Sequence, residues 1–172
     1  METVDVKDKP VLDATCGSKM IWFNKDNDLA LFVDKREVND EAIWTSGDGK
    51  RTRYVSVHPD VIADFTNLPF EDESFYHVVF DPPHLISGGD NAWIVKKYGR
   101  LDKNAWENVL HDGFAECMRV LKPHGTLIFK WAETQIKVTD VIKAIGHEPL
   151  YGARSGKQHN THWMAFIKED NE

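Results

Sequence analysis

Pro10-Val11-Leu12-Asp13-Ala14-Thr15-Cys16-Gly17-Ser18 runs from a short apolar segment into an acidic residue and then into a turn of small residues. Residues 10–14 read as a buried strand, because a short apolar run bounded by turn residues suits a pleated core position. The small residues after Asp13 let backbone approach a ligand closely. The turn lacks the full G-x-G-x-x-G pattern of a dinucleotide pyrophosphate site, and it lacks the GK[ST] of a P-loop. The same grammar returns along the chain. Residues 29–34 (LALFVD), 61–64 (VIAD) and 76–81 (YHVVFD) are apolar runs that each end in aspartate. Strand-like runs interleaved with helical patterns predict an open α/β sheet, mostly parallel, with helices on its faces.

Working outward, residues 18–24 are a short helix candidate. Trp106, Leu110, Phe114, Cys117 and Leu121 recur at helical spacing, which predicts a helix over 104–121. It stops at Lys122-Pro123-His124-Gly125, a helix breaker. Residues 125–131 (GTLIFKW) read as a fifth strand. Val138, Val141, Ile142 and Ile145 mark a second helix closed by Gly146. Residues 149–153 and 161–168 follow as two strands, the last one antiparallel. Between Asp34 and Val61 no helical periodicity is present. Residues 42–45, the turn SGDGKR and residues 53–57 read instead as a β-hairpin.

The chain has 172 residues, 41% hydrophobic and 28% charged, which fits one globular domain with its own core. Its formal charge of −7 argues against a dedicated basic nucleic-acid-binding domain and leaves only local basic patches for such contacts. Cys16 and Cys117 are the two cysteines, and with no CxxC pair they predict neither a disulfide framework nor a zinc site. No metal is expected. The first ten residues, METVDVKDKP, contain no apolar stretch, so no signal peptide is expected. No apolar run approaches the roughly 20 residues of a membrane span. The expected compartment is the cytoplasm.

In open parallel sheets ligands bind beyond the carboxyl ends of the strands. Asp13, Asp34, Asp64 and Asp81 would therefore line one crevice. Carboxylates only accept hydrogen bonds, so such a crevice suits a ligand rich in hydroxyl, amino and cationic groups. Asp34 lies about twenty residues after Asp13, where an acidic residue can bind a ribose diol. Taken singly, each aspartate is better read as a capping or turn-forming residue.

Asp81-Pro82-Pro83-His84 is the sharpest local signal. Two prolines cannot continue a central strand. They fix a stiff segment beyond the sheet, where the Asp81 side chain and the Pro82 carbonyl become neighbouring acceptors. A planar amino group with two hydrogens would satisfy both. The plainer reading is a proline-rich strand exit with His84 at the surface.

With these residues in place, the pattern resembles the class I S-adenosylmethionine-dependent methyltransferases. The likeness runs through VLDATCGS, LFVDKRE, VIADFTNLPFEDESF, VVFDPPH and VLKPHGTLIFKW. It implies a Rossmann-like fold and S-adenosyl-L-methionine as cofactor. It also implies that Asp13, Ala14, Thr15, Cys16 and Gly17 meet the methionine part. Asp34, with Lys35, would bind the ribose, and Asp64, with Phe65, the adenine. The DPPH tetrapeptide is similar to the [DNS]-PP-[YFW] motif of enzymes that methylate adenine N6 or cytosine N4. That likeness implies Asp81, Pro82, Pro83 and His84 as the catalytic set, with DNA or RNA as partner. His84 stands where the motif has an aromatic residue; imidazole can stack on a base or donate a hydrogen bond.

Residues 87–91 (SGGDN) read as a flexible lid. Lys96, Lys97, Tyr98 and Arg100 follow, a basic and aromatic group suited to a phosphate backbone and a stacked base. Arg154 and Lys157, in the 154–160 loop, are a second candidate phosphate contact. A solvated loop is the competing reading for the Lys96–Arg100 group. The core fold uses nearly every segment, which leaves no separate target-recognition domain. Recognition by shape, by a partner subunit or homodimer, or with relaxed sequence preference is the expectation. A small-molecule or protein methyltransferase, or a non-catalytic cofactor-binding subunit, are the alternative functions.

Overall fold

A computed structural model describes residues 6–158 and 160–170; His159, within the candidate loop, lies outside them. In chain order the elements are β1 (Val11–Asp13), β2 (Ala30–Asp34), β3 (Val38–Thr45), β4 (Thr52–Val57), β5 (Val61–Ile62) and β6 (Phe75–Phe80). There follow α1 (Trp93–Tyr98), α2 (Trp106–Val120), β7 (Leu121–Ala132), α3 (Val138–Ile145), β8 (Tyr151–Ser155) and β9 (Thr161–Ile167). Seven strands form one sheet in the order β5-β2-β1-β6-β7-β9-β8. β1 pairs parallel with β2 and β6, β2 with β5, and β6 with β7. β9 is antiparallel to both β7 and β8. The chain winds outward from β1 to β5, then returns to the other side of β1 at β6. Strand order therefore reverses between β1 and β6, which opens a crevice at their carboxyl ends.

Strand alternation sends Leu12, Leu31, Val33, Val78, Phe80, Leu127 and Phe129 to one face, where they pack with Leu110, Phe114 and Cys117 of α2 and Val141 and Ile145 of α3. The buried positions of α2 (Leu110, Gly113, Phe114, Cys117 and Met118) follow the three- and four-residue spacing of an amphipathic helix. Gly113 is required there, since a Cβ would lie 2.4 Å from the Phe65 ring. Ala30 and Phe32 point to the opposite face, against Trp22.

The hairpin read between Asp34 and Val61 is present and longer than its expected limits. β3 and β4 form a separate two-stranded sheet. It has a small core of Ile43, Val55 and Val57, closed by Val38 and by Trp93 of α1. Four expectations change. Residues 18–24 form turns, not a helix: Gly17 and Lys19 both take positive φ, 49° and 51°, which breaks helical continuity. The strand expected at 61–64 is only two residues long, at the sheet edge. The helix α1 was not expected. β7 begins at Leu121, four residues early, because pairing with β6 resumes across a register shift between Phe75 and His77. The KPHG breaker thus ends a helix but not a strand. No helix among the described residues is long and apolar enough to cross a membrane.

Candidate cofactor and substrate site

A cavity of about 310 Å³ opens at the carboxyl ends of β1, β2 and β6. That lies within the usual range for small-ligand pockets, roughly 300–1,000 Å³. Its wall is built from the turn after β1, the exit of β2, Phe65, the DPPH segment, the end of α1 and Lys130.

Asp13 closes the floor. It is 1% exposed. Its carboxylate accepts Trp22 Nε1–H at 2.7 Å and Thr15 N–H at 3.2 Å. Burial pushes its pKa up to about 7, and the nearby Asp81 and Asp34 charges add to the rise. Cys16 beside it is also buried, and burial pushes its thiol pKa up, away from the reactive thiolate. Gly17, at φ 49°, has open space where a Cβ would stand. Its amide is turned to Asp34, donating to Oδ2 at 3.1 Å. Asp34 also accepts the Arg36 N–H at 2.9 Å and Arg36 Nε–H at 3.2 Å. Arg36 reaches on to the Lys96 carbonyl at 3.3 Å, so the β2 exit is tied to α1.

Asp81 sits at the opposite wall. Its backbone N–H donates to Thr15 Oγ1 at 2.7 Å, which joins the DPPH segment to the β1 turn. Its Oδ2 accepts from Lys130 Nζ at 2.5 Å. Burial raises the Asp81 pKa, and the Lys130 ammonium opposes that rise. Lys130 arrives there because Phe80 pairs with Phe129, which sets the next residue of β7 beside the next residue of β6. The sequence reading missed it. The available signal was a lone cation between Phe129 and Trp131, inside an otherwise apolar run.

Pro82, Pro83 and His84 all line the cavity, and Pro82 is buried with the cavity in front of it. The His84 ring lies 5.5 Å from the Tyr98 ring, tilted by 52°, and 6.5 Å from Trp131. Burial lowers the His84 pKa, which favours the neutral imidazole. Tyr98 is brought in by Gly99, whose φ of 77° turns the chain against Pro83, where a Cβ would approach to 3.2 Å.

The crevice therefore holds three of the four strand-end carboxylates. Asp64 does not line it. It accepts the Thr66 N–H at 3.0 Å and the Thr66 hydroxyl at 2.9 Å, and Lys35 lies 3.9 Å away. Its neighbour Phe65 does line the cavity, edge-on to Phe80 at 5.3 Å. Lys35, Lys97, Tyr98 and Arg100 line it too. Lys96 turns away to Glu41 at 2.7 Å. Arg154 and Lys157 are exposed and lie outside the lining. The 87–91 segment is anchored rather than free. Arg100 donates to the Gly88 carbonyl and to Asp90, and Gln135 accepts the Ile86 and Ser87 amides.

No family model and no curated protein matches the sequence. Solved structures do. A SAM-dependent methyltransferase from Methanosarcina mazei is 13% identical over 98% of this chain and 99% of its own, with a TM-score of 0.52. A methyltransferase from Haloferax volcanii, solved in complex with the methyltransferase activator Trm112, is 13% identical over 98% of this chain and 84% of its own, with a TM-score of 0.50. The protein PH0226 from Pyrococcus horikoshii is 14% identical, with a TM-score of 0.46; the match takes in 63% of this chain and spans 58% of that one. This chain thus has the Rossmann-like fold of the S-adenosylmethionine-dependent methyltransferases, with its cavity at the switch point of the sheet.

Proposed function

We propose that the protein is an S-adenosylmethionine-dependent methyltransferase acting on an exocyclic amino group of a nucleic-acid base, adenine N6 or cytosine N4. The observation that carries this reading is the placement of Asp81, on its Pro-Pro exit, in the same cavity as Asp13, Gly17 and Asp34.

The residues present suit the cofactor. Asp13 and Asp34 are acceptors for an ammonium group and for ribose hydroxyls. The open space at Gly17 admits a ligand against the backbone, and Phe65 offers an apolar ring for adenine. Binding a ribose at Asp34 replaces its side-chain bonds to Arg36. When bound, the cofactor supplies an electrophilic methyl group, so the protein must mainly position and polarise the nucleophile.

Asp81 accepts an N–H of the target amine, which counters delocalisation of the nitrogen lone pair into the ring. Lys130 opposes the burial-driven rise in the Asp81 pKa and engages Oδ2, leaving the other carboxylate oxygen for the amine. As the new N–C bond forms and the S–C bond breaks, the amine loses a proton, which Asp81 or adjoining water takes. A raised pKa helps Asp81 in that role. His84 and Tyr98 together offer the ring surface that the tetrapeptide alone lacks. A base in a duplex must first be flipped out, at a cost of a few kcal/mol.

Transfer of labelled methyl from the cofactor to single-stranded DNA, to RNA and to extract metabolites tests the reading. Label in polynucleotide N6-methyladenine or N4-methylcytosine upholds it. Label only in small molecules or protein replaces it with the reading that the net charge of −7 favours. Both cysteines are free and buried, which fits a reducing cytoplasm. Sequence selectivity would fall to a partner subunit or a second copy.

A further inference from the structure

The hairpin that replaces a crossover helix carries a surface the catalytic reading does not use. Trp44 on β3 is opposite Arg53 on β4 and remains 39% exposed. The Arg53 guanidinium lies between two indoles, 5.3 Å from the Trp44 ring centre and 5.3 Å from that of Trp93, the first residue of α1. Lys97 stands four residues after Trp93, on the same side of α1 at neighbour distance. It reaches the cavity wall, with Tyr98 and Arg100 following. A track of aromatic rings and cations therefore leads from the hairpin along α1 into the cavity.

The carboxylates of the hairpin make their hydrogen bonds elsewhere. Glu41 is taken by Lys96, Asp40 accepts the Ser56 hydroxyl, and Asp48 is held in the turn by Ser46 and the Lys50 amide. Among the described residues, no carboxylate lies within ion-pair distance of Arg53 or Lys97. On a chain of net charge −7, an arginine fixed between two tryptophans is a local exception. Stacked aromatics with interleaved cations are what single-stranded nucleic acid binds, bases on rings and phosphates on the cations. We propose that Trp44, Arg53 and Trp93, continued by Lys97, form a docking platform for the single-stranded nucleotides beside the target base. This rests on the nucleic-acid reading of the site.

Fluorescence anisotropy with a labelled single-stranded oligonucleotide, as DNA and as RNA of one sequence, tests it. Trp44→Ala and Arg53→Gln should each weaken binding by about tenfold, the loss expected for one stacked base. Arg53→Gln should also reduce the slope of log affinity against log salt by about one. Lys143→Gln, on the exposed side of α3, should leave affinity unchanged. Unchanged cofactor affinity and unfolding temperature identify variants that remain folded. Equal or unequal affinity for DNA and RNA both uphold the platform and show which polymer supplies the base. Wild-type affinity in both folded hairpin variants overturns it. So does a loss confined to Arg53→Gln, which would mark a general polyanion surface. If the wild type methylates the oligonucleotide while the hairpin variants still bind it normally, only the platform falls. If the wild type neither binds nor methylates any oligonucleotide yet methylates another substrate, the functional reading falls with it.

Discussion

Two strand exits in this molecule look alike in sequence and behave oppositely. β5 leads into Ala63-Asp64-Phe65 and β6 into Asp81-Pro82-Pro83. Asp64 folds back on its own turn, bonding the Thr66 amide two residues on. Asp13 and Asp34 do the same with the amides of Thr15 and Arg36. Such bonds are the ordinary fate of an aspartate leaving a strand. Asp81 has no such option, because the residue two positions on is Pro83, which carries no N–H. Its carboxylate is left for the cavity and for Lys130. The prolines therefore do more than stiffen the exit: they remove the donor that would otherwise capture the acid.

The comparison can be broken at several points, and the largest effect belongs to Asp81. Asp81→Ala should lower methyl transfer by about a thousandfold or more, the scale on which a positioned acid-base group acts, while cofactor affinity by calorimetry stays within about threefold. Loss of both together would mean that Asp81 builds the cofactor site. Next comes Asp13, which is buried far more completely. Between its ordinary value of 3.8 and about 7, the folded protein keeps a proton that the unfolded chain releases. Its contribution is therefore greatest below about 4, declines as pH rises through that window and is level above about 7, a change of roughly 4 kcal/mol. Asp13→Asn should remove that slope in urea unfolding of the ligand-free protein; parallel curves for the two proteins would refute the assignment.

Lys130→Met takes the counter-charge from an acid that burial already favours protonated. The acidic limb of the rate profile should move up by about one pH unit or more, with Lys130→Arg restoring most of the shift. An unmoved limb would make Lys130 a packing residue. Pro83→Ala supplies the missing amide. It should cost transfer about fivefold by drawing Asp81 into a local turn worth about 1 kcal/mol, with little change in cofactor affinity.

Much of the frame was readable before any coordinates. Apolar runs ending in acids announced the parallel strands, and helical spacing from Trp106 to Leu121 announced α2. The turn SGDGKR announced the hairpin. What was hidden depends on partners remote in sequence. Lys130 meets Asp81 only through the β6–β7 register, and that register shifts at a bulge no local pattern reveals. α1 has six residues and no side-chain cap at its start, too little for a periodic signal. The turns at 18–24 contain Met20, Ile21 and Trp22, a helix-like cluster. The backbone at Gly17 and Lys19 and the Trp22 bond to Asp13 decide against a helix. Fold follows from local alternation; the direction of one carboxylate follows from a single amide.

That last point makes Asp64 the most informative of the small effects. The family likeness gives it the adenine, yet its carboxylate is 45% exposed and already satisfied by Thr66. Phe65 next to it does reach the cavity, so the backbone of this exit is correctly placed and only the acid is turned away. Asp64→Ala should therefore change cofactor affinity by no more than about threefold, within the worth of an exposed turn and ion pair. A tenfold loss would show that the Asx turn opens when adenine arrives. The two exits would then differ in the ligand-free state alone, with Asp64 captured by an amide that ligand binding can displace and Asp81 held ready by the lack of one.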